Sequence, residues 1–333
     1  MGFTLSQQTV IGTVLGAHDA RRANMFYGPI TGKFNTNDPD GATFVGTAGV
    51  PCPVKRHCGD DVYADLTDYK FKMGHCRFQA GIKLETKRFL ANPEQYRNAL
   101  RGLGNQGANH AAKQIINLIN RGELDTTPID GQPFYGPTHT WDSSTLQSNL
   151  LLQAVGTPAQ PTAQEITSAV YSAVEQILGF SGAGGACDMI NEGTTRFLIT
   201  APLHYMQVIK QLFSNNPNCC DGSNMLVTDD EYMFGKYYSA GFNTGYTTGT
   251  PGNPGTWVTG VAPSGNAIQV HAIDSMDMNG GPFAQLWFDD WEVTNFGIGS
   301  AWELEHCQIK TRVAAEYGTN YYDWTKSVQV NFV

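Results

Sequence analysis

The chain has 333 residues, of which 41% are apolar and only 15% charged, and it carries a net charge of −9. That length allows two or three lobes with a real buried core, and the apolar share excludes wholesale disorder. The acidic balance argues against a surface built to grip phosphate backbones, and no run reaches the roughly 18 apolar residues of a membrane-spanning helix.

The N-terminal segment MGFTLSQQTVIGTVLGAHDARR has no basic region ahead of its apolar part, so no secretory signal is expected. Seven cysteines, odd in number and irregular in spacing, then read as reduced thiols. Few charges together with 37 glycines predict extensive loops, or a surface covered by partners. Residues 1–60 hold no period for long and read as an extended arm with a few short elements.

In YKFKMGHCRFQAGIKLE (69–85), Tyr69, Phe71 and Met73 alternate with lysines. Alternation resumes after Gly74-His75 with Cys76, Phe78, Ala80, Ile82 and Leu84. Period two on both sides of a short break predicts a β-hairpin. Its apolar face (Tyr69, Phe71, Met73, Phe78, Ile82, Leu84) needs something to lie on, since a lone hairpin is marginal in water.

Asn92-Pro93 predicts a helix start, and apolar spacing carries the helix to residue 121. Gly102, Gly104 and Gly107 interrupt its middle and predict a bend or break there. A turn-rich stretch follows at 125–141. Thr162 and Glu165 then form a capping box that opens a second helix, stopped by Gly179. RFLITAP (196–202) reads as a buried strand, and Pro202 opens a third helix with Leu203, Met206, Ile209, Leu212 and Phe213 inward. Residues 214–265 are loop-like. AIQVHAI, FAQLWF, CQIKTRVAAEY and SVQVNFV return to strand patterning. The plan is α+β.

Four groups of residues could carry chemistry, and each has a plainer reading. Cys52, His57, Cys58, His75 and Cys76 are zinc-type ligands, but they lack paired C-x₂₋₄-C spacing, and neighbours on a strand face opposite ways. His139, Asp142, Ser143 and Ser144 fall in one turn without a nucleophile elbow. The glycine-rich run at 179–188 follows a helix, whereas a phosphate cradle follows a strand and opens a helix. Asp229, Asp230, Glu231 and Asp289, Asp290, Glu292 read as solvated faces. No catalytic residue, metal ligand or cofactor is expected.

The order of parts carries a further signal. YKFKMGHCRFQAGIKLE is followed by LRGLGNQGANHAAKQIINLINRG, then DGQPFYGPTH and NLL at 149–151. FLITAPLHYMQVIKQLF and RVAAEYGTNYYDW come later. In this order the motifs resemble the Mu-like phage major head (major capsid) protein family, over roughly residues 65–333 apart from the loop 214–265. The resemblance implies a Hong Kong 97-type capsid fold. Its parts would be an N-terminal arm (1–60), an extended hairpin loop (61–90) and a peripheral domain with the spine helix (91–160). An axial domain (161–285), including the loop 214–265, and closing strands of the peripheral domain (286–333) would follow.

The resemblance also implies a function. The chain would self-assemble, as hexamers and pentamers, into the icosahedral head shell of a tailed phage. That shell would enclose double-stranded DNA without sequence-specific binding. The expected site is virion capsid, assembled in the host cytoplasm. Portal and scaffold proteins of the same phage, and a protease or decoration protein, are the implied partners; no membrane is involved. The hairpin face would lie on the next subunit, and bends at Gly102, Gly104 and Gly107 would fit one chain to five-fold and six-fold positions. Shells would be held non-covalently, with Lys70, Lys72 and Lys83 unlinked and Cys52, Cys58 and Cys76 reduced. The alternatives are an encapsulin-like nanocompartment shell and a cytoplasmic enzyme using the Cys/His cluster.

Overall fold

The computed structural model describes residues 7–23, 27–47, 68–140, 146–158, 160–180, 195–201, 205, 208–209, 212, 225–227, 244–246, 257–259, 267–274 and 281–333. The expectations resting on Cys52, His57, Cys58, Asp142, Ser143, Ser144, Asp229, Asp230, Glu231 and most of the 179–188 and 214–265 stretches lie outside the described residues. So do Leu203, Met206 and Phe213.

The elements run α1 (Gln7–Arg22), β1 (Thr31–Asn35), β2 (Ala42–Thr47), β3 (Asp68–Met73), β4 (Cys76–Glu85), α2 (Thr86–Ala91) and α3 (Pro93–Arg121). Next come β5 (Leu150–Gln153), α4 (Ala163–Leu178), β6 (Thr195–Thr200), β7 (Met225–Val227), β8 (Thr244–Tyr246) and β9 (Trp257–Thr259). β10 (Ala267–Asp274), β11 (Phe283–Phe296), α5 (Ala301–His306), β12 (Gln308–Tyr321) and β13 (Ser327–Phe332) complete the chain. The mixture is α+β, with two main sheets ordered β1-β11-β12-β4 and β5-β13-β10-β6-β7.

The helix α3 forms where the sequence places it. The Asn92 side chain accepts from the Gln95 N–H at 3.2 Å, and Pro93 occupies the first turn, where a missing N–H costs nothing. The helix lies on the first sheet and is tied along its length by three tyrosines. The Tyr96 hydroxyl meets Thr311 at 2.7 Å, Tyr317 meets His110 at 2.7 Å, and Tyr321 donates to the Leu118 carbonyl at 2.9 Å. Between these ties, Leu100, Leu103, Ala108, Ala111, Ile115 and Ile119 are buried.

A break, one of the two outcomes expected at 102–107, does not occur. α3 is helical without interruption through all 29 residues. Two of its glycines serve close approach instead. A Cβ at Gly104 would strike the Val14 carbonyl oxygen of α1, with His18 N at 3.1 Å and Ala17 Cβ at 3.2 Å. A Cβ at Gly107 would meet the Trp291 ring at 3.4 Å, whereas Gly102 faces open space.

The expected irregular arm is corrected as well. Residues 7–22 form a 16-residue helix, whose Val10, Val14 and His18 are buried one turn apart. Its Arg21 donates to Asn109 of α3 at 3.1 Å.

The hairpin expected at 69–85 does not exist. β3 pairs antiparallel with β2, Phe71 opposite Phe44, while β4 pairs antiparallel with β12, Phe78 opposite Ala315. The hairpin in this region is β2–β3, and β4 is an edge strand of the first sheet. Gly74 and His75 are the corner between them. Two glycines admit that corner. Gly41 has φ +95° and lies against the Met73 carbonyl, and Gly318 lies against the Gly74 carbonyl; a Cβ at either would collide with backbone.

The second sheet is capped by α4, which packs on β10 and β13 with Ile166, Ala169, Val170, Ala173 and Ile177 buried. Its start is the expected capping box. Thr162 accepts from the Glu165 N–H at 3.3 Å, and Glu165 accepts from the Thr162 N–H at 2.6 Å. Tyr205 and Ile209, in helical conformation after β6, are buried against the same core. The closing strands divide between the sheets, with β11 and β12 in the first and β13 in the second.

Candidate functional site

Of the clusters singled out for chemistry, His75, Cys76, His139, Asp289, Asp290 and Glu292 are among the described residues. His75 directs Nδ1 to the Glu316 carboxylate at 2.8 Å and Nε2 to the Asp38 carbonyl at 3.1 Å, and it stacks on Phe288. Both ring nitrogens are therefore occupied. Cys76 is exposed, which corrects its expected place on an apolar face. Among the described residues no group of three His, Cys, Asp or Glu side chains could hold a metal ion. Asp289, Asp290 and Glu292 are exposed as expected, and Glu292 pairs with Arg77 at 2.7 Å and Arg312 at 3.6 Å.

His139 has an acidic partner, but it is Asp130, at 2.6 Å, and not the Asp142 beside it in sequence. The pair is buried, the imidazole stacks on Trp324 at 4.6 Å, and Nε2 faces the Phe134 carbonyl. Burial pushes the Asp130 carboxyl up, but hydrogen bonds from His139 and Thr127, with the His139 charge, outweigh it and hold the carboxyl below its usual range.

Asn149 completes this knot. Its Oδ1 accepts from the Gly136 N–H at 2.9 Å, and its Nδ2 faces the carbonyls of Phe134, Trp324 and Ser327 at 2.7–3.2 Å. One side chain thus ties the 125–140 turns to the strand β13. Asn149→Ala is expected to cost about 2–3 kcal/mol, since it strands several buried backbone groups at once. A lowered urea midpoint with an unchanged slope would register it.

A second buried network crosses the polar face of the second sheet. His271 meets Ser327 at 2.9 Å and Thr200 at 3.0 Å; Thr200 donates to Gln269 and Gln269 to Gln329. Gln329 and Asn331 then donate to Glu123. Every member has its partner, which fixes strand register in a way that apolar packing alone does not.

The hairpin residues divide. Phe71 and Met73 are buried at the root of β2–β3 with Ala284 and Leu286, and Phe34, Phe44 and Tyr322 close the cluster. Phe78 packs beside His110 and Tyr317 at 4.4 and 5.0 Å, and Ile82 and Leu84 lie against the core beneath α3. These five therefore have partners within their own chain. The strands β2 and β3 pair only with each other among the described residues. Beside them, the edge of β4 is open.

No family model matches the chain, and no curated protein matches it in sequence. Solved structures do. A chain from the capsid of cyanophage P-SCSP1u aligns over 93% of this chain and 88% of its own, with 11% identity and a TM-score of 0.57. A chain from the mature capsid of bacteriophage PhiM1 aligns over 93% and 87%, with 9% identity and a TM-score of 0.56. The chain has a Hong Kong 97-type phage capsid fold. Within that fold, three of the sequence motifs behind the expectation have a physical place. Leu103-Gly104 is the crossing of α1 and α3. Asp130, Phe134, His139 and Asn149 are the buried knot, and Tyr317-Gly318 anchors α3 and admits the Gly74 corner.

Proposed function

We propose that this chain is a major capsid protein that assembles with copies of itself into the icosahedral head of a tailed phage, around double-stranded DNA. The observation that carries the reading is a capsid fold matched across 93% of the chain to two phage capsid chains. The order of sequence motifs favours a Mu-like branch. Sheet β1-β11-β12-β4 with α1 and α3 would be the peripheral domain, α3 its spine, and sheet β5-β13-β10-β6-β7 with α4 the axial domain. The β2–β3 hairpin, not residues 69–85, would be the extended loop that reaches a neighbouring subunit. Phe44, Phe71 and Met73 seat the ribbon's root on its own subunit, and a neighbouring subunit would add further cover. Hexamers and pentamers, a portal and a separate scaffold would be its working partners, and the virion its location.

Electron microscopy of the purified protein tests this. Closed icosahedral shells are the expected result, and replacing residues 48–67 with a short turn should leave folded subunits that no longer close shells. A stable monomer at high concentration would overturn the reading. Small uniform shells filled with protein cargo would point instead to a nanocompartment.

A further inference from the structure

We infer that His75 is a proton-dependent pin that fastens the β2–β3 hairpin to the body of its own subunit. The residue stands at the corner where β3 gives way to β4, and its imidazole reaches two elements at once. Nδ1 faces a carboxylate oxygen of Glu316 on β12 at 2.8 Å, and Nε2 faces the Asp38 carbonyl at 3.1 Å. Asp38 begins the turn that leads into β2. Its carbonyl also accepts from the Gly41 N–H at 3.1 Å, and its carboxylate accepts from the Asp40 N–H at 2.9 Å. From there β2 and β3 pair, starting with Ala42 opposite Met73. One ring therefore joins the start of β2, the end of β3 and the first sheet. The His75 side chain is only 3% exposed, so both contacts are shielded from water.

The chemistry of the two partners sets the state of the ring. A backbone carbonyl and an ionised carboxylate only accept hydrogen bonds, and a neutral imidazole has one N–H to donate. Two contacts to acceptors need two N–H groups, so in this arrangement the ring is an imidazolium. Its charge is answered by Glu316 and by the Phe288 ring, on which it stacks at 4.7 Å with 18° between the planes. The other charged groups around it are Asp289 on β11 and Arg77 on β4, both in register with Glu316, Lys72 on β3, and Asp38 and Asp40 in the turn. Arg77 is engaged by Glu292 at 2.7 Å. Loss of a proton sets a nitrogen lone pair against an oxygen, so one of the two contacts must break. The pin is thus present at the acid end of histidine's range and lost as pH rises through it. Phe44, Phe71 and Met73 seat the hairpin's root through apolar contacts, so release loosens the hairpin without unfolding the subunit. On the capsid reading, in which this hairpin reaches a neighbouring subunit, the proton would govern how firmly that reach is held.

The test is hydrogen–deuterium exchange of dissociated subunits, wild type against His75→Gln, at about pH 5.5 and about pH 8.5, on either side of histidine's ordinary value of about 6.5. The readout is confined to the hairpin because global stability moves the other way with pH, through His110 and His271, which burial pushes down. Amides of residues 42–47 and 68–73 should exchange about tenfold faster in His75→Gln at the lower pH, for the loss of a charge-assisted contact, and at nearly the wild-type rate at the higher. Glu316→Gln is the second variant. Its amide NH₂ can donate to Nδ1, so a neutral ring keeps both partners, and protection of the hairpin, corrected for intrinsic exchange, should no longer depend on pH. Circular dichroism checks that both variants fold; should His75→Gln not fold, Glu316→Gln alone decides. An equal ratio of rates at both pH values, or a pH dependence that Glu316→Gln retains, would overturn the pin. Because the measurement is made on subunits, a failure to form shells would overturn the capsid reading and leave this result standing, and loss of the pin would leave the capsid reading untouched.

Discussion

Gly104→Leu is expected to destabilise the subunit by about 3 kcal/mol or more, while Gly102→Leu two residues away stabilises it by about 0.5–1 kcal/mol. Both positions lie in the same helix and both are glycine, so intrinsic propensity predicts a small gain at each. The difference is what lies opposite. At 104 even a methyl group would collide with the Val14 carbonyl, and backbone cannot turn aside as a side chain can. The helix α1 must therefore lift off, exposing Val10, Val14 and the apolar residues of α3 beneath them. Urea unfolding gives the stability change, and limited proteolysis within residues 7–22 reports the detachment. Equal effects at 102 and 104 would mean that α1 does not depend on this crossing.

This contrast also explains what the sequence could and could not reveal. The helix α4 was legible because its signals are local: Thr162 and Glu165 close a box on themselves, and Ile166, Val170, Ala173 and Ile177 repeat at helical spacing. Asn92-Pro93 announced α3 for the same reason. The helix α1 was not legible because its inward stripe is narrow, two valines and a histidine, and Gly12 and Gly16 dilute it. Its stability comes from α3, far along the chain. The glycines of α3 were read as weakness because composition shows a missing side chain but not the neighbour that required its absence.

Alternation at 69–85 correctly indicated two strands. It could not say that β3 pairs backwards to β2 and β4 forwards to β12, since period two fixes faces and not partners. The buried knot shows the same limit. His139 was visible as a residue of interest, but its carboxylate is Asp130 across a turn rather than Asp142 beside it. Only the order of motifs, taken as a resemblance, grouped Asp130, His139 and Asn149 before their contacts were known.

The subunit is expected to lose stability steeply as pH falls from about 6.5 towards 4, through two histidines buried in neutral form. Burial pushes His271 down to about 3, and burial, with the Lys113 charge, pushes His110 down to about 4. Unfolded, each takes up a proton near its ordinary value of about 6.5. Between those limits the unfolded chain binds protons that the folded chain refuses, so stability rises with pH across the window and is lost on acidification. The slope is about 1.4 kcal/mol per pH unit for each histidine, or about 3 kcal/mol apiece by pH 4. Asp130 adds to the loss at the acid end, because its depressed carboxyl is protonated more readily in the unfolded chain. The neutral His271 ring is well served where it stands, between the hydroxyls of Ser327 and Thr200, which can each donate or accept. Protonation would leave a cation in that pair with no carboxylate against it. Urea unfolding of dissociated subunits at pH 7, 6 and 5 should therefore show a falling midpoint, and His271→Gln should flatten the slope by about one proton even if it lowers stability at pH 7. A slope that His271→Gln leaves unchanged would show that the buried imidazole is not what makes the subunit acid-sensitive.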